Sequence, residues 1–234
     1  MIKEAIILAG GLGTRLRSVV AELPKCMANV AGKPFIYYII KQLEKQGIEK
    51  FIFSLGYKHE VIEAYINTQF TTLNTQFVIE HEPLGTGGAI LLACKKATEK
   101  NVLILNGDTM FSIDIQKLAT THISFGADCT LSLKPMQHFD RYGVVELNSD
   151  HTIASFKEKQ FYERGLINGG VYALQTQHFL QEQLHEKFSF EKDYLEKYFS
   201  QRKIYGDIQD EYFIDIGIPE DYQRAQIEFK NSTL

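Results

Sequence analysis

A strand-like apolar segment, Ala5-Ile6-Ile7-Leu8, runs into Ala9-Gly10-Gly11-Leu12-Gly13-Thr14-Arg15-Leu16, with Pro24-Lys25 further on. This junction constrains the chain more than any other feature. Three glycines let the backbone turn sharply and bring its N–H groups close to a ligand, because no Cβ blocks the approach. A glycine-rich turn that follows a strand and opens toward a helix is a cradle for phosphate oxygens. Arg15 and Lys25 add two cations that could clamp a polyphosphate from the side. Glycines alone would make an ordinary strand-to-helix turn with surface charges. The full spacing argues for a phosphate site.

The loop is neither of two familiar phosphate motifs. No Gly-Lys-Ser/Thr closes it, so Walker-type chemistry is unsupported. The glycines miss the dinucleotide spacing, and no acidic residue ends a second strand where a ribose clamp would sit. The net charge of −4 offers no general field for nucleic acid, so an anionic substrate must be held by local cations. No apolar stretch approaches the ~20 residues of a membrane span, and the N-terminal apolar run is too short for a signal segment. Neither nucleic acid nor membrane is therefore an expected partner. Cys26, Cys94 and Cys129 are sparse and odd in number, without Cys-x-x-Cys or paired histidines. They point to reduced thiols in a cytoplasm and against structural zinc. Cys26 reads as a bystander beside Lys25.

At 234 residues, with 44% hydrophobic side chains, the chain fits one domain large enough for a core and a substrate cleft. Pro34 to Gln46 carries a helical stripe closed by Gly47; helices are also expected over His59 to Ile66 and Gly87 to Ala97. Strands are expected at Lys50 to Leu55, Gln76 to Ile79 and Val102 to Leu105. This alternation predicts a mostly parallel sheet with helices on both faces, and ligands at the carboxyl ends of the strands. The second half reads as more β-rich, with strands at Cys129 to Leu133, Tyr142 to Leu147 and Leu166 to Leu174. Helices are expected at Gln177 to Leu184, Phe190 to Phe199 and Glu220 to Phe229. There is no internal repeat, low-complexity tract or linker, so we expect one domain with an N-terminal half over about 1–125 and a C-terminal half over about 126–234.

Asp108, in Asn106-Gly107-Asp108, ends an apolar strand, where a carboxylate is held rigidly; alone it would be a common turn aspartate. Asp215 is one acid in the otherwise apolar Tyr212-Phe213-Ile214-Asp215-Ile216, which is costly unless the charge is paired or bound to metal. A hard cation such as Mg²⁺ takes one or two carboxylates plus substrate phosphates rather than a complete protein cage. Asp108 and Asp215 are the candidate pair.

The run Gly10-Gly11-Leu12-Gly13-Thr14-Arg15-Leu16 with Pro24-Lys25 resembles the opening signature of the sugar-1-phosphate nucleotidylyltransferases, the nucleotide-sugar pyrophosphorylases. That resemblance implies an α/β, Rossmann-like fold of the GT-A type in a single domain, with the N-terminal half for the nucleotide, the C-terminal half for the sugar, and Mg²⁺ on Asp108 and Asp215. It implies catalysis by Arg15 and Lys25, and nucleotide binding at Leu8, Ala9, Gly10, Gly11, Gly13 and Thr14. Many relatives carry a trailing left-handed β-helix of hexapeptide repeats; none is expected here. A homodimer is compatible with the resemblance.

Three further segments gain meaning from it. Phe156-Lys157-Glu158-Lys159 resembles the family's Glu-Lys motif, with Glu158 accepting from sugar hydroxyls and Lys159 on the 1-phosphate. Without the resemblance it reads as a charged strand face; Lys157 competes for the phosphate, and Gln160 stands where relatives commonly have proline. Asn168-Gly169-Gly170 resembles the sugar-floor strand, or equally a strand with a bulge, and Gly143 fits a position whose amide meets the sugar. Glu80 to Ala89 resembles the base-recognition loop, placing Glu80, Pro83, Gly85, Thr86 and Gly87 at the nucleotide. A carboxylate offers two acceptors for the guanine N1–H and N2–H₂ donors, which tilts the reading to GTP, although uracil-using relatives can have a similar loop.

Within the family the chain is similar along nearly its whole length to the short D-glycero-α-D-manno-heptose 1-phosphate guanylyltransferases. The likeness runs through Glu82-Pro83-Leu84-Gly85-Thr86-Gly87-Gly88, Phe139-Asp140-Arg141-Tyr142-Gly143 and Phe188-Ser189-Phe190-Glu191. It implies GTP and a sugar 1-phosphate as substrates and GDP-heptose for surface glycans as the product. Mannose 1-phosphate is the alternative sugar, since one extra hydroxymethyl group supports only limited discrimination. Two other classes fit the sequence less well. A silent nucleotide-sugar sensor would have lost a cation or a metal ligand. A glycosyltransferase would usually show Asp-x-Asp and lack the glycine loop.

Overall fold

In a computed structural model, which describes residues 1–11, 16 and 23–230, the chain alternates strand and helix from its first residues. Strand β1 (Glu4–Ala9) leads to a 3-10 turn at Lys25–Met27 and a short hairpin, β2 (Asn29–Val30) with β3 (Lys33–Pro34). Helix α1 (Phe35–Lys45), β4 (Lys50–Leu55), α2 (His59–Gln69), β5 (Asn74–Ile79), α3 (Gly85–Cys94) and β6 (Asn101–Asn106) complete the first half. Strands β6, β1, β4 and β5 lie side by side in that order and run parallel.

The alternation within β1 explains the layering. Ala5, Ile7 and Ala9 face one core with Phe35, Ile39 and Leu43 of α1 and Ile62 of α2. Ile6 faces the opposite core with Ile90 of α3 and Ile104 of β6. Burying each such aliphatic side chain contributes about 1.5–3 kcal/mol, and a strand buried on both faces is apolar along most of its length. The expected stripe Phe35, Ile36, Ile39, Ile40, Leu43 is buried, and Gly47 follows the helix with φ +87°.

Next come β7 (Thr109–Phe111), α4 (Ile115–Ser124), β8 (Cys129–Phe139), β9 (Val144–Leu147), β10 (Ile153–Lys157) and β11 (Tyr162–Gln175). Helix α5 (Thr176–Gln181), a π-helical segment Phe190–Leu195 with α6 (Glu196–Tyr198), β12 (Ile204–Ile208), β13 (Phe213–Asp215) and α7 (Pro219–Glu228) end the described chain. β11 runs antiparallel to β6 and joins the C-terminal strands to the parallel core; β8 pairs with β11 and β12, and β9 with β10 and β11. Residues from α1, α2, α4 and α7 cover one face, and those from α3, α5 and the π-helical segment cover the other. The expected single α/β domain with helices on both faces is found.

Several elements depart from the sequence expectation. Helix α4 was not foreseen; its N-terminus is fixed by Asp114, whose side chain accepts from the N–H groups of Gln116 and Lys117. The helix expected over Phe190 to Phe199 begins as a π-helical turn. β12 was missed because Gly206 and Asp207 depress its strand signal, yet both are buried beside β8. The small pair β7–β13, each three residues long, was also missed. A register shift between Asn168 and Tyr172, with Gly170 at φ +73°, realises the bulge reading of Asn168-Gly169-Gly170. Among the described residues no helix is long and apolar enough to cross a membrane. Cys26, Cys94 and Cys129 are all free and buried.

Candidate functional site

Adjacent parallel strands β1 and β6 bring two loops to the same sheet edge. Gly107 N–H donates to the Leu8 carbonyl at 2.8 Å, and a Cβ at Gly107 would lie 3.0 Å from that oxygen. Asp108 therefore follows a backbone clamped to the root of the glycine loop. Pairing of β13 with β7 sets Asp215 opposite Thr109, and Ile216 N–H donates to the Asp108 carbonyl at 3.1 Å. The two acids, distant in sequence, meet because these short strands pair.

Lys25 Nζ donates to Asp108 Oδ2 at 2.9 Å, with side chains 14% and 28% exposed. Gly217 N–H donates to Asp215 Oδ1 at 2.8 Å. A Cβ at Gly217 would come 2.7 Å from Asp215 Oδ1 and 3.2 Å from Lys25 Nζ, so the cation and both acids converge there. Burial pushes the Cys26 thiol far up, and the Asp108 charge adds to it, which suits a bystander. The donor chemistry fits a hard divalent ion, which takes carboxylate oxygens and needs only one or two from protein: Asp108 and Asp215 line one cavity, brought there by the pairing of β13 with β7.

A cavity of about 690 Å³ opens from these groups, lined by Leu8, Ala9, Gly10, Gly11, Lys25, Glu80, Pro83, Gly85, Thr86, Asp108 and Asp215. Glu80 Oε2 accepts from Leu84 N–H at 3.0 Å, and Oε1 from Ser54 Oγ at 3.4 Å. Burial raises its carboxyl above the usual range, against the lowering effect of those two bonds. Gly10 lies so close that a Cβ would be 2.8 Å from Glu80 Oε1. Gly85 has φ +72°, a conformation that suits glycine.

Gly87 is different: its N–H donates to the Phe188 carbonyl at 3.0 Å, and a Cβ would lie 2.1 Å from the Phe188 ring. That glycine allows α3 to pack on Phe188, and its amide is already used, so it is not a wall of the cleft. Gly13, Thr14 and Arg15 lie outside the described residues. The sequence reading missed Gly56 and Tyr57, which follow β4 and line the cleft; Tyr57 N–H donates to the Gly10 carbonyl at 3.3 Å. Their signal was the position itself, at the carboxyl end of a parallel strand.

A second cavity, about 630 Å³, shares Asn106, Thr109 and Asp215 with the first. Gly143, Glu158, Lys159, Asn168 and Gly169 all line it. Lys157 is ion-paired with Glu146, whereas Lys159 is exposed and in no ion pair among the described residues. Asn168 Nδ2 donates to Tyr172 OH at 2.8 Å, and its Oδ1 accepts from Gly170 N–H at 3.1 Å. A Cβ at Gly169 would lie 2.3 Å from the Phe111 ring, so that glycine also serves the packing of β7 under β11. Ser189, Glu191, Lys192 and Glu196 also line it; the sequence reading gave none of them a role, although Ser189 and Glu191 fall in the resembling run Phe188-Ser189-Phe190-Glu191. Burial raises the Glu196 carboxyl, and the nearby Glu158 and Glu191 add to it. The π-helical turn that carries Glu191 and Lys192 has no periodic sequence signature.

The family model described as nucleotidyl transferase matches residues 4–232. The chain is 56% identical to a D-glycero-α-D-manno-heptose 1-phosphate guanylyltransferase of Aneurinibacillus thermoaerophilus, over 97% of this chain and 99% of that one. It is 46% identical to the protein of the same name from Campylobacter jejuni, over 94% and 96% of the two chains. Its fold superimposes on the crystal structure of HddC from Yersinia pseudotuberculosis complexed with GMP-PN, with a TM-score of 0.88 and 39% identity, covering 98% and 100%. With a glycine-loop cleft, paired acids at its floor and near-complete coverage by these relatives, the chain belongs to the nucleotidyl transferase family.

Proposed function

We propose that this chain is a D-glycero-α-D-manno-heptose 1-phosphate guanylyltransferase, joining GTP and the heptose 1-phosphate into GDP-heptose with release of pyrophosphate. Two relatives of that name, similar over nearly the whole chain, support the substrate pair. The observation that carries the reaction is the meeting of two cavities at Asp215, with Lys25 and Asp108 close by in the first. One cavity takes the triphosphate and the other the sugar phosphate.

In this reading an oxygen of the sugar 1-phosphate attacks the α-phosphorus in line. The bond from that phosphorus to the bridging oxygen breaks, and pyrophosphate leaves with the electron pair. No covalent enzyme intermediate is required, so the protein's contribution is positioning and charge neutralisation. Lys25 sits where charge grows around the α-phosphate, and Lys159 orients the attacking phosphate. Arg15 neutralises the departing pyrophosphate. The amides of Gly10 and Gly11, with Gly13 and Thr14, hold the triphosphate, while Leu8, Ala9, Pro83, Gly85 and Thr86 wall the nucleoside. Glu80 accepts from guanine N1–H and N2–H₂; Glu158, Asn168 and Gly143 hold the sugar. Asp108 and Asp215 would hold a divalent ion, Mg²⁺ in this reading, which when bound supplies positive charge to the phosphates.

Purified protein is incubated with GTP, UTP, dTTP or CTP and with heptose, mannose or glucose 1-phosphate, and pyrophosphate is measured. Release with GTP and the heptose phosphate is expected. Product with UTP or dTTP and none with GTP would overturn the base assignment, and preference for mannose 1-phosphate would overturn the sugar.

A further inference from the structure

A hydrogen-bonded chain runs between the two cavities, with Glu191 at its centre. Glu191 Oε2 accepts from Thr86 Oγ1 at 2.9 Å and from Ser189 Oγ at 3.2 Å. Its Oε1 accepts from Tyr172 OH at 3.4 Å. The proton directions are fixed from outside. Asn168 Nδ2 donates to the Tyr172 oxygen at 2.8 Å, which directs the phenol proton to Glu191. Phe190 N–H donates to Thr86 Oγ1 at 2.9 Å, which directs the threonine proton there as well. Tyr172 is 1% exposed and cannot turn to water.

Acceptor capacity is left over on one side. A carboxylate offers about four lone-pair sites, and among the described residues Oε1 takes a single bond, a long one. Glu191, Tyr172 and Asn168 wall the second cavity, whereas Thr86 walls the first. A group that reaches both sites through fixed donors has the geometry to make binding at one depend on binding at the other.

We propose that Glu191 couples the two substrates: Oε1 accepts a hydroxyl of the sugar, while Oε2 holds Thr86 and the start of α3 in place for the nucleotide. This rests on the assignment of the two cavities given under Proposed function. Whichever substrate binds first orders the Glu191 carboxylate, and the second is spared that ordering cost. The effect is reciprocal, as any linkage between binding sites must be.

The test uses α,β-methylene-GTP, whose bridging carbon blocks the reaction, and calorimetric titration of the heptose 1-phosphate with and without it. Wild type is expected to bind the sugar phosphate about fivefold or more tightly when the analogue is present. E191Q keeps the volume but turns an NH₂ group toward hydroxyls that must donate; Y172F keeps the ring but removes one link. Both are expected to lose the enhancement. A merely structural role would weaken both ligands in parallel and leave the ratio intact. An undiminished ratio in either variant, or no enhancement in wild type, overturns the coupling. If wild type turns over the substrates yet E191Q keeps the ratio, only the coupling falls. If wild type releases no pyrophosphate with any sugar phosphate, the site assignment falls and takes the coupling with it.

Discussion

Lys25 Nζ lies 2.9 Å from Asp108 Oδ2, although the two residues belong to different loops of the sheet edge. The ammonium is thereby held in the first cavity, close to Asp215, which lines both cavities. A cation placed before substrates arrive costs no reorganisation when charge develops.

Lys25→Ala should therefore lower kcat by about 100- to 1,000-fold, the range for loss of one preorganised electrostatic group, while the KM for GTP changes far less. Steady-state kinetics with both substrates varied checks this. Equal losses in kcat and nucleotide affinity would make Lys25 a binding residue only.

Asp108→Asn and Asp215→Asn should each raise the Mg²⁺ concentration for half-maximal activity by about tenfold or more, since even outer-sphere partners are worth 10- to 100-fold. Chelation should abolish turnover reversibly. Metal titrations of the two variants, with folding checked by circular dichroism, give the answer.

Glu80→Gln should weaken GTP binding by about 10- to 100-fold, as a donor then faces the guanine N1–H and N2–H₂ donors. The same carboxyl must be ionised to accept both, and burial raises its pKa above 4.5. GTP affinity should accordingly begin to fall with decreasing pH before ordinary carboxylates titrate, and the E80Q variant should lack that limb. Equilibrium titrations across the acid range read both effects.

Gly169→Ala brings a Cβ to within 2.3 Å of the Phe111 ring. Overpacking of this kind costs about 1–3 kcal/mol, and Phe111→Leu should recover part of it. A double-mutant cycle by urea denaturation measures the coupling directly.

His122 is buried with its Nδ1 3.0 Å from Thr130 Oγ1 and its Nε2 3.2 Å from Asn101 Oδ1. These partners suit a neutral ring, with Nε2–H donating and Nδ1 accepting. Burial lowers its pKa from 6.5 to about 4. Between those values the unfolded chain binds the extra proton, so stability present above pH 6.5 is lost as pH falls toward 4, by about 3 kcal/mol from this group. Denaturation midpoints should drop more steeply over that window in wild type than in His122→Gln.

Local chemistry made much of this molecule legible. The apolar β1, the stripe of α1 and the glycines after Ala9 are short-range patterns, and each pattern implies its own geometry. The rule that ligands sit at strand carboxyl ends put Gly10, Gly11 and Asp108 at one cleft, and they line one cavity. What the tertiary structure alone decided depended on groups far apart in the chain. Pairing of β13 with β7 delivered Asp215 to Asp108, and two three-residue strands carry too little pattern to announce their register. Glu146 settled that Lys159 rather than Lys157 is left without an ion-pair partner among the described residues. Phe188 explained Gly87, and a π-helical turn carried Glu191 to the second cavity. The sequence determined which groups could do the chemistry, because residue type and spacing act within a few residues; long-range packing alone determined which of them share a cavity.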